Sequence, residues 1–357
     1  MLDKSDLSVK IARDLSHSGR TMQLDDLADR AFAPSLDSIA HKRIPGAVLG
    51  LVTADGARAV RAAGSAQIMP EIQPIGRETW FDLASLTKVI FTTSRILALA
   101  NAGRIDLDAP LTTVIPDFRQ YDLNCADRKL TFRQCLGHQT HLPPVEPIYT
   151  YGSDPDTLRA FVLQREWRAG PPVYSDINFI LLGIALERIF GLGIREMEVP
   201  EGFSWSPDPL ATAATEYCTW RRRVMVGEVH DENCYAMQGT GHAGLFGTVD
   251  GVLDFARGLL DGTGAPEGVV RLMRTPVGGN RAHGWELPYA GWSGGSNCSA
   301  DTIGHTGFTG TGLWIDFERG LAWTLLTNRV HPSRHTDSGI FALRATTGDI
   351  VSAGFSP

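Results

Sequence analysis

The sequence predicts an α/β (α+β) fold, with an antiparallel β-sheet flanked by helices and an inserted all-helical subdomain. Two observations support this: strand-like segments lie towards both ends of the 357-residue chain, and helical spacing dominates between them. Strands from both ends then form one sheet, which helices cover. We expect a flexible lead over 1–23, a sheet domain over 24–103 and 241–357, and a mainly helical subdomain over 104–240, together forming a single functional unit.

The individual elements follow from apolar spacing and turn residues. Residues 24–42 have helical spacing, and the apolar run 47–52 and segment 57–63 flank the turn Ala54-Asp55-Gly56, which is typical of a β-hairpin. The later candidates are helices at 89–102, 130–136, 157–162, 178–190, 249–260 and in the tail from Arg334, and strands near 304–306, 312–316 and 321–327.

Composition excludes several function classes. The formal net charge is −7, and nucleic-acid binding requires a basic surface. The N-terminus lacks the apolar core of a signal peptide, and no apolar run is long enough to span a bilayer. Five scattered cysteines indicate free thiols in a reducing compartment. We expect a cytoplasmic protein without a nucleic-acid or membrane partner; its oligomeric state is left open.

Ser85 and Lys88 stand at the start of the helix predicted over 89–102. Residues three apart share a helical face, so the hydroxyl and the amine can meet. Backbone N–H groups at a helix start favour negative charge, and a serine nucleophile needs both a base and such donors. The chain has five lysines among its 33 basic residues, and Lys88 lies within an apolar stretch, where a decorative charge is unfavourable.

Two further motifs could complete a site. Tyr174-Ser175-Asp176 follows Pro171-Pro172 and precedes a strongly apolar helix, so Tyr174 lies on a loop at the helix entrance. The segment Gly304 to Gly307 begins a late strand, where glycines permit a ligand to approach the backbone. Taken singly, each motif is equally compatible with a structural role: a helix cap with a packing tyrosine, and a glycine-rich turn with a surface histidine.

Together and in this order, the three motifs resemble the penicillin-recognising serine hydrolases: class C β-lactamases, related family VIII esterases and DD-peptidases. That family's signatures are Ser-x-x-Lys, Tyr-x-Asn and Lys- or His-Thr-Gly. They stand here as SLTK at Ser85, YSD at Tyr174 and HTG at His305, within the segments FDLASLTK, PPVYSDINFILLG and GHTGFTGTGLWID, and GHAGLFGT at Gly241 also matches. The resemblance covers about residues 25 to 335 and implies a β-lactamase/transpeptidase-like fold.

The resemblance also implies roles. Ser85 is the nucleophile, and Lys88 and Tyr174 handle its proton. The backbone N–H groups of Ser85 and Phe308 form the oxyanion hole. The substrate-binding residues are Asp176, His305, Thr306, Gly307 and Phe308. No metal or other cofactor is implied, and the partner is a small-molecule or peptide-like acyl substrate.

Two departures from the family pattern affect the expected substrate. Asp176 replaces an amide by a carboxylate, which accepts hydrogen bonds but donates none when ionised. His305 stands where many relatives have lysine, and a histidine with a pKa of about 6.5 is mostly neutral at neutral pH. A permanent cation for a substrate carboxylate is therefore weakened. We expect an esterase or amidase with weak or no β-lactamase activity, with a DD-carboxypeptidase or β-lactamase as the alternative.

The protonation state of the proposed base is open at this stage. To be half deprotonated at pH 7, Lys88 needs a pKa roughly 3 units below its usual value, which corresponds to about 4 kcal/mol. Burial favours neutral lysine, whereas the Asp176 carboxylate favours the charged form. Lys88 and Tyr174 can also titrate as one coupled unit, because strongly interacting groups share their proton losses.

Two other classes of function are weighed against hydrolysis by serine. A chain that keeps the fold without turnover would act as a penicillin-binding sensor or scaffold. A metal hydrolase would draw on His138 with His141, or on His230, Asp231, Glu232 and Cys234, because these residue types bind zinc. Neither set forms a full tetrahedral group, and His138 stands where the family has a structural histidine.

Overall fold

The computed structural model describes residues 23–355, so the predicted flexible lead lies outside the described residues except for its last position. The helices of this part are α1 (23–40), α2 (Ser94–Asn101), α3 (Phe132–Leu136), α4 (Pro155–Gln164), α5 (Asp176–Phe190), α6 (Glu232–Ala236), α7 (Val249–Asp261), α8 (Glu267–Arg274) and α9 (Ile340–Gly354). The strands are β1 (Gly46–Thr53), β2 (Arg58–Gln67), β3 (Gln73–Pro74), β4 (Phe81–Asp82), β5 (Phe203–Ser204), β6 (Tyr217–Cys218), β7 (Arg223–Val224), β8 (Phe246–Gly247), β9 (Thr302–Thr306), β10 (Gly312–Asp316) and β11 (Leu321–Thr327).

The main sheet is antiparallel and has six strands in the order β3-β2-β1-β11-β10-β9. N-terminal strand β1 pairs with C-terminal strand β11, with Leu49 opposite Leu325. Every residue of both strands is buried, as expected of central strands covered on both faces. The sheet formed from the two chain ends, as predicted from the sequence, is therefore confirmed.

Helices cover both faces of this sheet. On one face, α1 and α9 enclose an apolar cluster that includes Trp314 and Trp323, whose rings stack at 5.8 Å. On the other face, α7 packs with its buried side towards β1, and the larger apolar cluster continues through α5 into the middle of the chain. The layer arrangement agrees with the predicted α/β class.

The middle of the chain contains α3 to α6, and most of its remaining length is loop. Strand β5 pairs with β8, which also pairs with β4 in a second, three-stranded sheet. The region 104–240 thus contributes a strand to the sheet that holds β4, directly before Ser85. The domain boundaries given above stay a prediction. Within residues 23–355, no helix combines the length and the apolar character that a membrane crossing requires.

Candidate active site

A tight turn between β4 and the following helix presents Ser85. Ala84 has a φ of 46°, in the left-handed region that non-glycine residues rarely adopt. The buried Asp82 carboxylate holds this turn, because it accepts the Ala84 N–H at 2.8 Å and the His230 N–H at 2.6 Å. Strained backbone of this kind clusters at functional sites, and the sequence pattern gave no sign of it.

The helix after Ser85 begins with a π-helical segment, Lys88–Thr93, and continues as α2. The sequence pattern predicts regular helical spacing, and the structure differs by this wider turn. All six residues of the segment are buried, and π-turns of this kind are frequent at functional sites. The Lys88 side chain is completely buried, and its Nζ donates to Ser85 Oγ at 2.9 Å.

Lys88 Nζ has two further oxygen neighbours. It donates to the His242 carbonyl at 3.0 Å and lies 2.8 Å from Asp176 Oδ1. Burial lowers the pKa of Lys88, but the Asp176 carboxylate and Tyr174 outweigh it and raise that pKa to about 12. Of the two opposing effects left open by the sequence, the carboxylate prevails, and the free site holds a charged lysine.

Tyr174 lies on the loop before α5, with the centroid of its ring 5.2 Å from Lys88 Nζ, and its hydroxyl interacts electrostatically with Lys88 and Ser85. His138 fixes this loop: its Nδ1 accepts the Ser175 N–H at 3.0 Å, and its ring lies 4.5 Å from the Tyr174 ring. Burial raises the pKa of Tyr174 and the Lys88 ammonium counteracts it, while Asp176 raises it further. The position of His138 beside the tyrosine was not foreseen from the sequence.

His305 lies on the edge strand β9, opposite Leu313 of β10. Its ring is buried, 5.8 Å from the Tyr174 ring, and its Nδ1 is 2.9 Å from the Thr306 carbonyl. Burial lowers the pKa of His305 well below its usual range, and the charges of Arg281 and Lys88 lower it further. The imidazole is therefore neutral at neutral pH, as the sequence argument about a missing cation requires.

The turn after β9 is tied to the backbone before Ser85. Thr309 donates to the Asp82 carbonyl at 2.7 Å and Thr311 to the Leu83 carbonyl at 3.0 Å. These contacts hold the turn that carries Phe308 against the backbone that leads into Ser85. Neither the Phe308 N–H nor the Ser85 N–H has a hydrogen-bond acceptor among residues 23–355. An oxyanion hole requires two backbone donors that are free in this way.

Gly307→Ala should displace one of these donors. A Cβ at this position would lie 2.1 Å from Thr311 Oγ1 and 2.5 Å from the Leu83 carbonyl oxygen, so the turn must move and take Phe308 with it. We expect kcat/KM to fall on the order of 100-fold, the usual effect of losing one oxyanion donor, together with a lower Tm. Gly76→Ala, where a Cβ meets nothing within 4 Å, is the control; near wild-type activity in Gly307→Ala would contradict the assignment.

The residues weighed as metal ligands have other partners. His141 Nε2 is 2.6 Å from Asp127, and His230 Nε2 is 2.7 Å from Glu216. Asp231 pairs with His242, Glu232 with Arg334, and Cys234 donates to the Ala243 carbonyl. Within the described part of the chain, no three His, Cys, Asp or Glu side chains are grouped so that they could hold a metal ion.

The fold and the grouping of Ser85, Lys88 and Tyr174 define the class as a serine hydrolase. The family model described as Beta-lactamase matches residues 28–346. The chain belongs to the β-lactamase family.

Three comparisons place it further. The chain is 28% identical over 348 residues to an N-acetylmuramyl-L-alanine amidase of Bacillus subtilis (strain 168), covering 80% of this chain and 78% of that protein. It is 28% identical over 310 residues to a putative D-alanyl-D-alanine carboxypeptidase of Salmonella agona (strain SL483), covering 71% and 70%. A class C β-lactamase structure superposes with a TM-score of 0.73 at 16% identity, covering 94% of this chain and 98% of that one.

Proposed function

We propose that this chain hydrolyses an ester or amide carbonyl through an acyl-enzyme on Ser85, with weak or no β-lactamase activity. The observation that carries the proposal is the contact of Lys88 Nζ with Ser85 Oγ at 2.9 Å, in a buried site that also holds Tyr174. A hydroxyl, an amine and a phenol within reach of one another form a nucleophile with its proton-handling partners.

The reaction follows from these contacts. The reactive form is the one in which the coupled Tyr174–Lys88 pair has lost one proton. In that form Ser85 Oγ attacks the substrate carbonyl carbon, and its proton passes to the pair. The carbonyl oxygen becomes an oxyanion that the N–H groups of Ser85 and Phe308 stabilise. The pair returns the proton to the leaving alcohol or amine as the bond to the carbonyl carbon breaks. Water then attacks the acyl-enzyme by the same route and releases the acid.

The side chains around the cleft support the substrate preference. His305 is buried and neutral, so the position where many relatives have lysine carries no cation of its own, and the charge of the neighbouring Arg281 is paired with Glu286 at 2.9 Å. β-Lactams and D-Ala-D-Ala peptides carry that carboxylate, whereas simple esters do not. The Bacillus relative is named as an amidase, which supports an amide as the substrate. The Salmonella relative favours the second candidate, a DD-carboxypeptidase.

A substrate panel tests the preference. Wild-type protein is assayed at pH 6 and pH 8 with p-nitrophenyl esters, an N-acyl amino-acid amide, nitrocefin and a D-Ala-D-Ala peptide. We expect the best ester or amide to exceed nitrocefin and the D-Ala-D-Ala peptide in kcat/KM at both pH values. Equal turnover of the carboxylate-bearing substrates at pH 8 would overturn the argument from His305. A stable Ser85 adduct without turnover would instead indicate the non-catalytic sensor.

The remaining expectations stay predictions. A cytoplasmic location and the absence of nucleic-acid and membrane partners rest on the sequence arguments alone, and fractionation of native cells tests the first of them.

A further inference from the structure

Arg281 lies against the face of the Tyr174 ring. Its guanidinium carbon is 5.1 Å from the ring centroid, within the range of a cation–π contact. The segment that carries it is held in place, because Glu286 exchanges both backbone hydrogen bonds with Gly304 on the edge strand β9. The hairpin 277–287 therefore brings a cation to the strand side of the site, next to His305.

The hydrogen bonding of Arg281 is incomplete. Nη2 lies 2.9 Å from Glu286 Oε1, whereas Nη1 is buried and has no hydrogen-bond partner among residues 23–355. An unpaired buried donor destabilises a fold. Glu286 thus balances part of the charge of Arg281, and this charge still lowers the pKa of the neighbouring His138 and His305 rings.

Charged and titratable groups face Tyr174 from several elements. The two rings beside it, His138 and His305, are both held neutral by burial and by neighbouring positive charge. Among residues 23–355, four groups face the Tyr174 ring: Lys88 at 5.2 Å from its centroid, Arg281 at 5.1 Å, the His138 ring at 4.5 Å and the His305 ring at 5.8 Å. Two carboxylates pair with the cations, Asp176 with Lys88 and Glu286 with Arg281. The Ser85 hydroxyl interacts with the phenol itself. Lys88 and Arg281 are therefore two cations beside the Tyr174 ring, and each is paired with one carboxylate.

We infer that Arg281 is a positioning residue that fixes the Tyr174 ring and supplies a second positive charge, which favours the transfer of the Ser85 proton. The inference rests on the proposed function. As Ser85 Oγ forms its bond to the attacked centre, its proton moves to Tyr174 Oη or Lys88 Nζ. A nearby positive charge lowers the pKa of a phenol and of an ammonium alike. Removing Arg281 therefore makes the acceptor titrate at higher pH, whichever of the two it is.

The test measures how fast a fluorophosphonate probe modifies Ser85 as a function of pH. In this reaction the serine oxygen bonds to phosphorus, fluoride leaves, and the proton goes to the same acceptor, so no natural substrate is needed. In Arg281→Gln we expect the midpoint of the rate profile to rise by about one pH unit or more, with about a tenfold loss of rate at pH 7 for each unit. Arg281→Lys keeps the charge, so its midpoint should lie close to that of wild type.

The matched control is Arg159→Gln. Arg159 is also a partly buried arginine paired with a glutamate, Glu187, at 2.8 Å, but on α4 and α5; its midpoint should equal that of wild type. Glu286→Gln removes the carboxylate that balances Arg281 and should lower the midpoint. This variant replaces Arg281→Gln in the test if circular dichroism shows that Arg281→Gln does not fold.

Two results would overturn the inference: an equal loss of rate at every pH in Arg281→Gln and Arg281→Lys, or an unchanged or higher midpoint in Glu286→Gln. Failure of the proposed function looks different, because wild-type Ser85 would then not react with the probe at all.

Discussion

Ser85→Ala should abolish turnover of every ester and amide that the wild-type protein hydrolyses. The substitution removes the oxygen that forms the covalent bond, and in hydrolases of this kind loss of the nucleophile lowers kcat on the order of 10⁴-fold or more. The fold should survive, because the side chain is small and the hydrogen bond that is lost, from the Lys88 amine, lies within the site. The measurement is kcat for the best substrate of the panel, with Tm followed by circular dichroism.

A nearby serine provides the comparison for this variant. Ser94→Ala, at the start of α2, removes a hydroxyl that donates to the Val89 carbonyl at 3.1 Å. It should reduce stability modestly and leave kcat near the wild-type value. Turnover by Ser85→Ala at a tenth of the wild-type rate or more would show that another group attacks the carbonyl.

Asp176→Asn should move the pH profile of acylation to lower pH. The Asp176 carboxylate lies 2.8 Å from Lys88 Nζ and raises the pKa of both Lys88 and Tyr174. Removing its charge lowers both pKa values, so the sign of the shift is the same whichever group accepts the proton. An opposite charge at this distance shifts a pKa by about 1 to 3 units. At a pH below the midpoint, Asp176→Asn should react about tenfold faster than wild type for each unit by which the midpoint falls.

The asparagine side chain keeps an acceptor for Lys88, so the variant should fold. Asp117→Asn, which neutralises the partner of Arg188 on α5, changes the net charge equally and should leave the profile unchanged. The measurement is kcat/KM, or the fluorophosphonate rate, from pH 5 to pH 10. A midpoint that stays in place or rises in Asp176→Asn would refute the idea that this carboxylate sets the working pH.

Local patterns predicted the sheet and most helices because the apolar spacing is strong. The hairpin β1–β2, the apolar helix α5 and the strands β10 and β11 all appear where the sequence predicts them. The tail helix begins at Ile340, later than expected from Arg334. Short strands such as β5 and β8 were not predicted, since two residues give no periodic pattern and their pairing depends on distant parts of the chain.

The sequence predicted only those site residues that stand in short motifs. Ser85 and Lys88 share one turn of helix, and Tyr174 and His305 stand in short motifs, so their juxtaposition could be expected from the family resemblance. The left-handed backbone at Ala84 was not predictable, because it is held by Asp82, which also binds the distant His230 backbone. Arg281 has no motif at all and reaches Tyr174 through the fold alone.

Peptide mapping of the acyl-enzyme tests the central claim most directly. The protein is incubated with a fluorophosphonate or with the best ester, quenched in acid, cleaved with trypsin and analysed by tandem mass spectrometry. The claim predicts one adduct on peptide 78–88, located on Ser85 and missing in Ser85→Ala. An active protein whose adduct maps to any other residue, or whose turnover proceeds with no adduct under rapid quench, would contradict it.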